Sequence, residues 1–212
     1  MIRQYLRTLL VAIMVLGSFV LLSPAVNAAT LDFESLGAPG APAKIADGYG
    51  DLQWNNFYVV DGHRYDADFP NNGYITGASS GIYVGLNGFG EAASLSSSST
   101  FDFISASLTA AFNEGLQLDI AGFRNGAQLY AQTVTLTTQM YATLLFNWTG
   151  IDELTFVSYG GKPVYGVSGR QFALDDLNVV QTPLPAALPF LATGLIGLGF
   201  AARRRRAAAK AA

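Results

Sequence analysis

The sequence predicts an all-β domain, a β-sandwich or jelly roll, flanked by an N-terminal signal helix and a C-terminal hydrophobic helix. The 212 residues include 23 glycines, 14 phenylalanines and 10 tyrosines, a composition that favours strands over helical bundles. The middle of the chain shows short runs of alternating apolar and polar residues, and no sustained 3.6-residue apolar period. We therefore divide the chain into a signal peptide over residues 1–29, an ectodomain over 30–181 and a C-terminal segment over 182–212.

The N-terminal segment has the three parts of a secretory signal peptide. Arg3 and Arg7 precede an apolar stretch over residues 9–22, and small residues follow it around Ala28 and Ala29. We expect signal peptidase to cut after Ala28 or Ala29. The alternative is an uncleaved N-terminal anchor.

In the first half of the ectodomain the strand pattern is loose. Strands are predicted over residues 31–34, 52–60 and 82–86, and a further strand begins at Phe101. The serine-rich residues 94–100 are expected to form an exposed loop.

In the second half the pattern is clearer. Residues 116–120 alternate, Asn125-Gly126 is a strong hairpin signal, and residues 129–137 form the returning strand. Further strands are predicted over residues 144–148, 154–159 and 171–180, with a loop over 160–169. About eight short strands with glycine-rich turns are typical of a sandwich or jelly roll.

The C-terminus combines a short proline motif, an apolar stretch and an arginine cluster. The residues of the motif and the cluster are Pro183, Leu184, Pro185, Arg203, Arg204, Arg205 and Arg206. The 18 residues of 185–202 extend about 27 Å as a helix, just short of a hydrocarbon core of about 30 Å. Because arginine clusters stay cytoplasmic, the ectodomain is expected outside the inner membrane.

This tail resembles the PEP-CTERM sorting signal of exosortase substrates. Pro183 and Pro185 match the prolines of the motif, and Leu184 stands where the name-giving motif has glutamate. The resemblance implies export, transient anchoring in the inner membrane and cleavage near the proline motif by an exosortase. The protein is then expected at the cell surface or outside the cell. The alternative is an ordinary C-terminal anchor.

Composition excludes several kinds of chemistry. The chain has no cysteine and a single histidine, His63, so disulfides, thiolate metal sites and a cysteine nucleophile are ruled out. Residues 30–181 carry five basic side chains against all 15 acidic ones, a net charge of about −10. Nucleic acid is therefore not expected as a partner, since its affinity depends on cationic contacts to phosphate.

Residues 77–81, Gly-Ala-Ser-Ser-Gly, formally match the nucleophile elbow of serine hydrolases. That motif requires a strand–turn–helix context and a histidine that follows the serine in the chain. Here His63 precedes the motif and no helical pattern follows it. We therefore expect that the protein is not an enzyme.

A structural calcium site is the one cofactor that the sequence suggests. Asp32 and Glu34 lie on the predicted first strand, and Asp175 and Asp176 lie on the last. The terminal strands of jelly rolls commonly neighbour one another, so the four carboxylates are predicted to converge on Ca²⁺, which prefers oxygen ligands. The alternative is that these acids only decorate solvent-exposed faces or turns.

Aromatic residues cluster between residues 54 and 89, and exposed rings of this kind stack on sugars. Trp54, Tyr58, Tyr65 and Tyr74 are the candidate saccharide contacts. The acidic first strand, the last strand over residues 172–177 and the central hairpins resemble jelly rolls of the carbohydrate-binding-module type. Core packing is the alternative explanation for the aromatic side chains.

These patterns predict an exported, exosortase-sorted, non-enzymatic protein with a structural or adhesive role at the cell surface or in the extracellular polysaccharide matrix. The second hypothesis is a carbohydrate-binding module for exopolysaccharide, and the third is a secreted hydrolase.

Overall fold

The computed structural model describes residues 27–37 and 40–181, and these form ten strands, one five-residue α-helix and three short 3₁₀ helices. The elements are β1 (Asn27–Leu31), β2 (Ala43–Lys44), β3 (Gln53–Asn55), β4 (Phe57–Asp61), α1 (Gly73–Gly77), β5 (Tyr83–Asn87), β6 (Ala93–Ala110), β7 (Asn113–Arg124), β8 (Ala127–Leu136), β9 (Ala142–Pro163) and β10 (Phe172–Gln181). The predicted sorting motif and arginine cluster lie outside the described residues, as does most of the predicted signal peptide. The predicted all-β class is confirmed for the part of the chain described.

The ten strands form a single antiparallel sheet. Its order is β2-β4-β5-β10-β6-β9-β7-β8, with β1 paired to β10 and β3 paired to β6. Strands β6 and β9 have 18 and 22 residues, and each pairs with different neighbours along its length. The predicted sandwich is therefore one continuous hydrogen-bonded sheet rather than two separate sheets.

Ring contacts show that this sheet curls back on itself around the core. Phe57 of β4 lies edge-on to Phe156 of β9, with centroids 5.6 Å apart, although β5, β10 and β6 separate these strands in the sheet. Phe57 also contacts Phe172 of β10 at 6.2 Å. The three rings are fully buried and belong to one large apolar cluster, whose burial stabilises the fold.

The predicted central hairpin is confirmed. Strands β7 and β8 pair from Leu116 with Leu136 to Arg124 with Ala127. The connecting residues Asn125 and Gly126 have φ values of 50° and 76°. Two residues at positive φ give the primed turn that matches the twist of hairpin strands, which is why Asn-Gly specifies it.

The serine-rich stretch is not the exposed loop that low complexity predicted. Residues 94–100 lie inside β6, where Leu95 is fully buried and pairs with Trp54 of β3 and Leu154 of β9. Most of the serines are only half-buried. Serine is compatible with this strand because residues 94–96 pair with β3 on one side and β9 on the other, while Leu95 faces the core.

Strand β1 begins at Asn27, so the predicted signal-peptide cleavage falls inside a strand. Ala28 pairs with Val180 of β10 and Ala29 pairs with Val179. Cutting after Ala29 leaves only Thr30 and Leu31 of this strand. Between residues 27 and 181, no described helix is both long and apolar enough to cross a membrane.

Candidate functional site

A cleft of about 480 Å³ opens beside β4 and β5, and nearly half of the residues that line it are aromatic. Six rings line it: Tyr58, Tyr65, Phe69, Tyr74, Phe89 and Phe112. The remaining lining residues are Pro42, Leu86, Gly88, Val167, Ser168, Gly169 and Gln171. A smaller apolar cluster, which includes the fully buried Val60 and Val84, packs beneath the cleft and supports it.

Tyr58 and Tyr65 reach the cleft from β4 and from the turn that follows this strand. The turn, Gly62–Tyr65, is a short 3₁₀ helix whose first residue is preceded by Asp61. The Asp61 carboxylate accepts a hydrogen bond from the backbone N–H of His63 at 2.9 Å, which fixes the start of the turn. Tyr65 is thereby held beside Tyr74, with ring centroids 6.0 Å apart.

Helix α1 places Tyr74 at the bottom of the cleft. The buried side chain of Asn72 accepts from the Tyr74 N–H at 2.9 Å and donates to the Phe69 carbonyl oxygen at 2.9 Å. Gly73 donates its N–H to the Ala111 carbonyl, and a Cβ at this position would overlap the Ala110 carbonyl oxygen. The approach of α1 to the end of β6 therefore requires glycine.

Tyr74 has a relative exposure of only 2%, although it lines the cleft. Its ring lies edge-on to Phe112 at 5.5 Å. Burial raises the pKa of this phenol well above its usual value, and neighbouring Tyr65 adds to the effect. The hydroxyl is thus a neutral group that both donates and accepts.

Phe89 forms the exposed rim of the cleft. It lies in the tight turn Gly88–Gly90 with a φ of 59°, and it is 81% exposed. A left-handed backbone conformation is unfavourable for a bulky residue, and an exposed phenyl ring gains nothing from burial. Phe89 is therefore held in a strained conformation that presents its ring to solvent beside the cleft.

The opposite wall comes from the segment that leads into β10. Tyr165 donates its hydroxyl to the Asn71 carbonyl at 2.8 Å, and the Val164 N–H bonds the Phe112 carbonyl at 3.1 Å. Phe69 lies edge-on to Phe112 at 5.4 Å. These contacts tie the segment to the residues that precede α1 and close this side of the cleft.

Gln171 is the polar amide of the cleft lining. Its Oε1 is buried and has no hydrogen-bond partner among the residues described. Buried polar atoms are nearly always paired, so an unpaired one in a cleft wall is an acceptor available to a bound molecule once the wall adjusts.

The structure brings three of the four predicted saccharide contacts together. Tyr58, Tyr65 and Tyr74 line one cleft. Trp54 was wrongly placed with them, because it lies in the core at 3% exposure, edge-on to Phe57 at 5.3 Å, and its Nε1 donates to the Tyr49 carbonyl. A short apolar strand does not reveal which face is buried, so sequence alone did not separate Trp54 from the tyrosines.

Sequence reasoning did not identify Phe112 and Gln171, which also line the cleft. They come from distant parts of the chain and carry no local signal. Phe69 and Phe89 fall within the aromatic cluster of residues 54–89 but were not chosen among the four saccharide contacts. Phe89 carried a local signal, since a phenylalanine between two glycines is typical of an exposed turn rather than of a core.

The predicted calcium ligands divide into two hydrogen-bonded groups. Asp175 is fully buried, and its Oδ2 accepts the backbone N–H groups of Ser79 and Ser80 at 2.8 Å each. Asp176 accepts the hydroxyls of Ser79 and Ser80 at 2.8 and 2.9 Å. Burial raises the pKa of Asp175 to about 6, against the opposing effect of these backbone hydrogen bonds.

Glu34 and Asp32 hold neighbouring backbone instead. Glu34 Oε1 accepts the N–H groups of Ile82 and Tyr83 at 2.8 and 2.7 Å, and Asp32 accepts the N–H of Glu34 at 3.2 Å. Among the described residues, no three acidic or histidine side chains are grouped so as to hold a metal ion. The calcium site stays a prediction.

The same contacts explain the Gly-Ala-Ser-Ser-Gly motif. Both serine hydroxyls donate to aspartate carboxylates, and α1 precedes the motif rather than following it. The motif is therefore a turn that receives the acidic pair of β10. This arrangement differs from the strand–turn–helix of a nucleophile elbow.

Comparison with known proteins gives a likeness of fold only. No protein-family model and no curated protein matches the sequence. Among solved structures, the chain is similar to the module TmCBM61 in complex with beta-1,4-galactotriose (11% identity, TM-score 0.34, covering 62% of this chain and 87% of that one). It is also similar to the family 32 module from C. perfringens NanJ in complex with galactose (12% identity, TM-score 0.35, covering 63% and 95%).

A third similar structure is the arabinose-bound MgGH51 α-L-arabinofuranosidase, at 10% identity and a TM-score of 0.41. The likeness covers 76% of this chain but only 27% of that enzyme. Carbohydrate-binding modules thus stand among the structural neighbours. Every one of these TM-scores is below 0.5, so the likeness carries no information on function.

Proposed function

We propose that the ectodomain is a carbohydrate-binding module of an exported surface or matrix protein, and that the aromatic cleft is its saccharide site. The observation that carries the proposal is Phe89, whose ring is 81% exposed at the rim of the cleft in a strained turn. Strained backbone conformations of this kind are found most often at functional sites.

The chemistry of the cleft matches that of a sugar. A pyranose presents apolar C–H faces, which stack on aromatic rings, and a perimeter of hydroxyls, which hydrogen-bond with polar groups. The cleft supplies rings from Tyr58, Phe69 and Phe89 and hydroxyls from its tyrosines. A mostly apolar concavity with a few convergent polar groups is the usual form of a small-molecule site.

The same lining supports binding over hydrolysis. Glycoside hydrolysis uses a pair of carboxyl groups that flank the scissile bond. The residues that line the cleft offer hydroxyls and one amide, and their side chains carry no carboxylate. Among the two functions, saccharide binding is therefore the one that we propose for this cleft.

The proposed cellular location is inferred from the N-terminal and C-terminal segments of the sequence. We propose that signal peptidase removes the N-terminal segment, and that an exosortase cuts near Pro183 and Pro185 after transient anchoring in the inner membrane. The released domain then adheres to exopolysaccharide at the cell surface or in the matrix. Intact mass of the protein from its native cells tests this, since a retained arginine cluster would contradict exosortase processing.

The binding proposal is tested by calorimetry with a panel of neutral polysaccharides and with the exopolysaccharide of the native cells. The expected result is saturable binding to at least one polymer. Intrinsic fluorescence is a poor readout, because both tryptophans, Trp54 and Trp148, lie outside the cleft and are at most 7% exposed. Absence of binding across the panel would overturn the proposal.

A further inference from the structure

We propose that the cleft selects uncharged glycans, and that the Tyr74 hydroxyl and the Gln171 amide are the groups that recognise their hydroxyls. This inference rests on the proposed saccharide function and narrows it to a substrate class. It excludes uronate-containing and sulfated chains as preferred ligands.

The first support is the lack of charge in the cleft. Its polar side-chain groups are the hydroxyls of Tyr58, Tyr65, Tyr74 and Ser168 and the amide of Gln171. A carboxylate or sulfate entering this space would lose water and would find no cationic side chain among the residues that line the cleft. Burying an unpaired charge costs far more free energy than burying a hydroxyl that finds a hydrogen bond.

The second support is the charge around the cleft. Arg170, next to Gln171, is paired with Glu91 at 3.1 Å. Arg64 lies over the Tyr65 ring at 5.5 Å, but the acids Asp61, Asp66 and Asp68 lie within four residues of it in the sequence. The ectodomain carries a net charge of about −10. Its electrostatic field therefore repels polyanions.

The third support is an unpartnered polar atom in the lining. Gln171 Oε1 is buried and has no hydrogen-bond partner among the residues described. Such an atom destabilises the empty site, and a ligand hydroxyl that pairs with it recovers that free energy on binding. The Tyr74 hydroxyl supplies a second polar group in the same lining, on a side chain at 2% exposure.

The charge selectivity is tested with the neutral polymer that binds best, compared with two derivatives of the same polymer. One derivative is sulfated, and in the other the primary alcohols are oxidised to carboxylates. Calorimetry in low-salt and high-salt buffer should show affinity lower by about tenfold or more for both derivatives. Equal or tighter binding of a derivative overturns the selectivity while leaving the saccharide function standing. Failure of every neutral polymer to bind overturns the saccharide function itself.

The role of the Tyr74 hydroxyl is tested by Tyr74→Phe, which removes a single oxygen from a buried ring. Affinity for the neutral polymer should fall about tenfold, while the Tm should stay within a few degrees of wild type because the buried ring and its packing are kept. A purely structural tyrosine would lower the Tm and leave affinity unchanged, and that outcome overturns the role. Tyr159→Phe is the matched control, since Tyr159 is 42% exposed and outside the cleft lining.

Gln171→Met gives an independent test, because it keeps the length of the side chain and removes the amide. We expect a several-fold loss of affinity for the neutral polymer with the Tm retained. Wild-type affinity in this variant would overturn the role of Gln171.

Discussion

The phenyl ring of Phe89 lies edge-on to the ring of Tyr58, with centroids 6.1 Å apart and planes at 80°. Tyr58 is on strand β4, and Phe89 is in the turn after β5. Strands β4 and β5 pair from Phe57 with Asn87 to Asp61 with Tyr83, so their register sets the two rings side by side. The sheet thereby builds an aromatic corner at the rim of the cleft.

Replacing Phe89 by glycine should strongly weaken saccharide binding with little change in stability. The ring is 81% exposed, so little packing is lost, and glycine adopts the φ of 59° without strain. We expect affinity to fall at least about tenfold, with the Tm within a few degrees of wild type. Calorimetry and thermal unfolding measure the two quantities.

The matched control for this variant is Leu145→Ala, since Leu145 is 71% exposed on β9 and does not line the cleft. It should bind as the wild type does. Equal affinity loss in both variants would mean that the cleft is not the site.

Asn72→Ala should weaken both stability and binding. The buried Asn72 side chain caps α1 through the Tyr74 N–H and also holds the Phe69 carbonyl. Its loss should lower the free energy of unfolding by about 1–3 kcal/mol. Because Asn72 positions two rings of the cleft, the affinity for saccharide should fall too. Denaturant unfolding measures the stability, and calorimetry on the same variant measures the affinity. Unchanged stability would show that the cap contributes nothing.

Asp175 should make the protein more stable in mild acid. Burial raises the pKa of Asp175 from 3.8 to about 6, so the folded state binds a proton more tightly than the unfolded state. Its contribution is fully present below about pH 4 and is lost as pH rises through 6. Between these two limits, the contribution of Asp175 to the free energy of unfolding changes by about 3 kcal/mol, at 1.36 kcal/mol per pKa unit. Denaturant unfolding in chelator at pH 4, 5, 6 and 7 measures it.

The control is Asp175→Asn, which keeps an acceptor for the Ser79 and Ser80 N–H groups and does not titrate. Hydrogen bonds from Thr138 and Thr137 outweigh burial and lower the pKa of Glu114, so Glu114 acts in the opposite direction. The difference between wild type and variant isolates Asp175. The same pH profile in both proteins would contradict this account.

The predicted calcium site has its own test. If Ca²⁺ binds among Asp32, Glu34, Asp175 and Asp176, it favours ionised carboxylates. Added Ca²⁺ should then raise the Tm and remove the acid-stabilised behaviour. A Tm that is identical in calcium and in chelator at pH 7 would end the proposal.

Local signals in the sequence predicted local structure well. Asn125-Gly126 specified its hairpin because the two residues themselves adopt the required positive φ values. The prediction of a loop over the serine-rich residues 94–100 was wrong, since this strand is fixed by pairing with β3 and β9 rather than by composition.

The site was predicted only in part, for a physical reason. Three tyrosines were identified because they are aromatic and close in sequence, but burial of Trp54 depends on partners such as Leu95 in β6. Gln171 and Phe112 come into the cleft through tertiary packing, and contacts of this kind produce no periodic pattern in the sequence. The hydrogen bonds that the Ser79 and Ser80 N–H groups donate to Asp175 likewise span 96 and 95 residues.

The most direct test of the central claim is a map of amide chemical shifts on titration with a neutral oligosaccharide of the polymer that binds. The account predicts perturbations concentrated at Gly88, Phe89, Gly169 and the side-chain amide of Gln171. Perturbations confined to the exposed face around Leu145 and Tyr159, or none at saturating ligand, would contradict it.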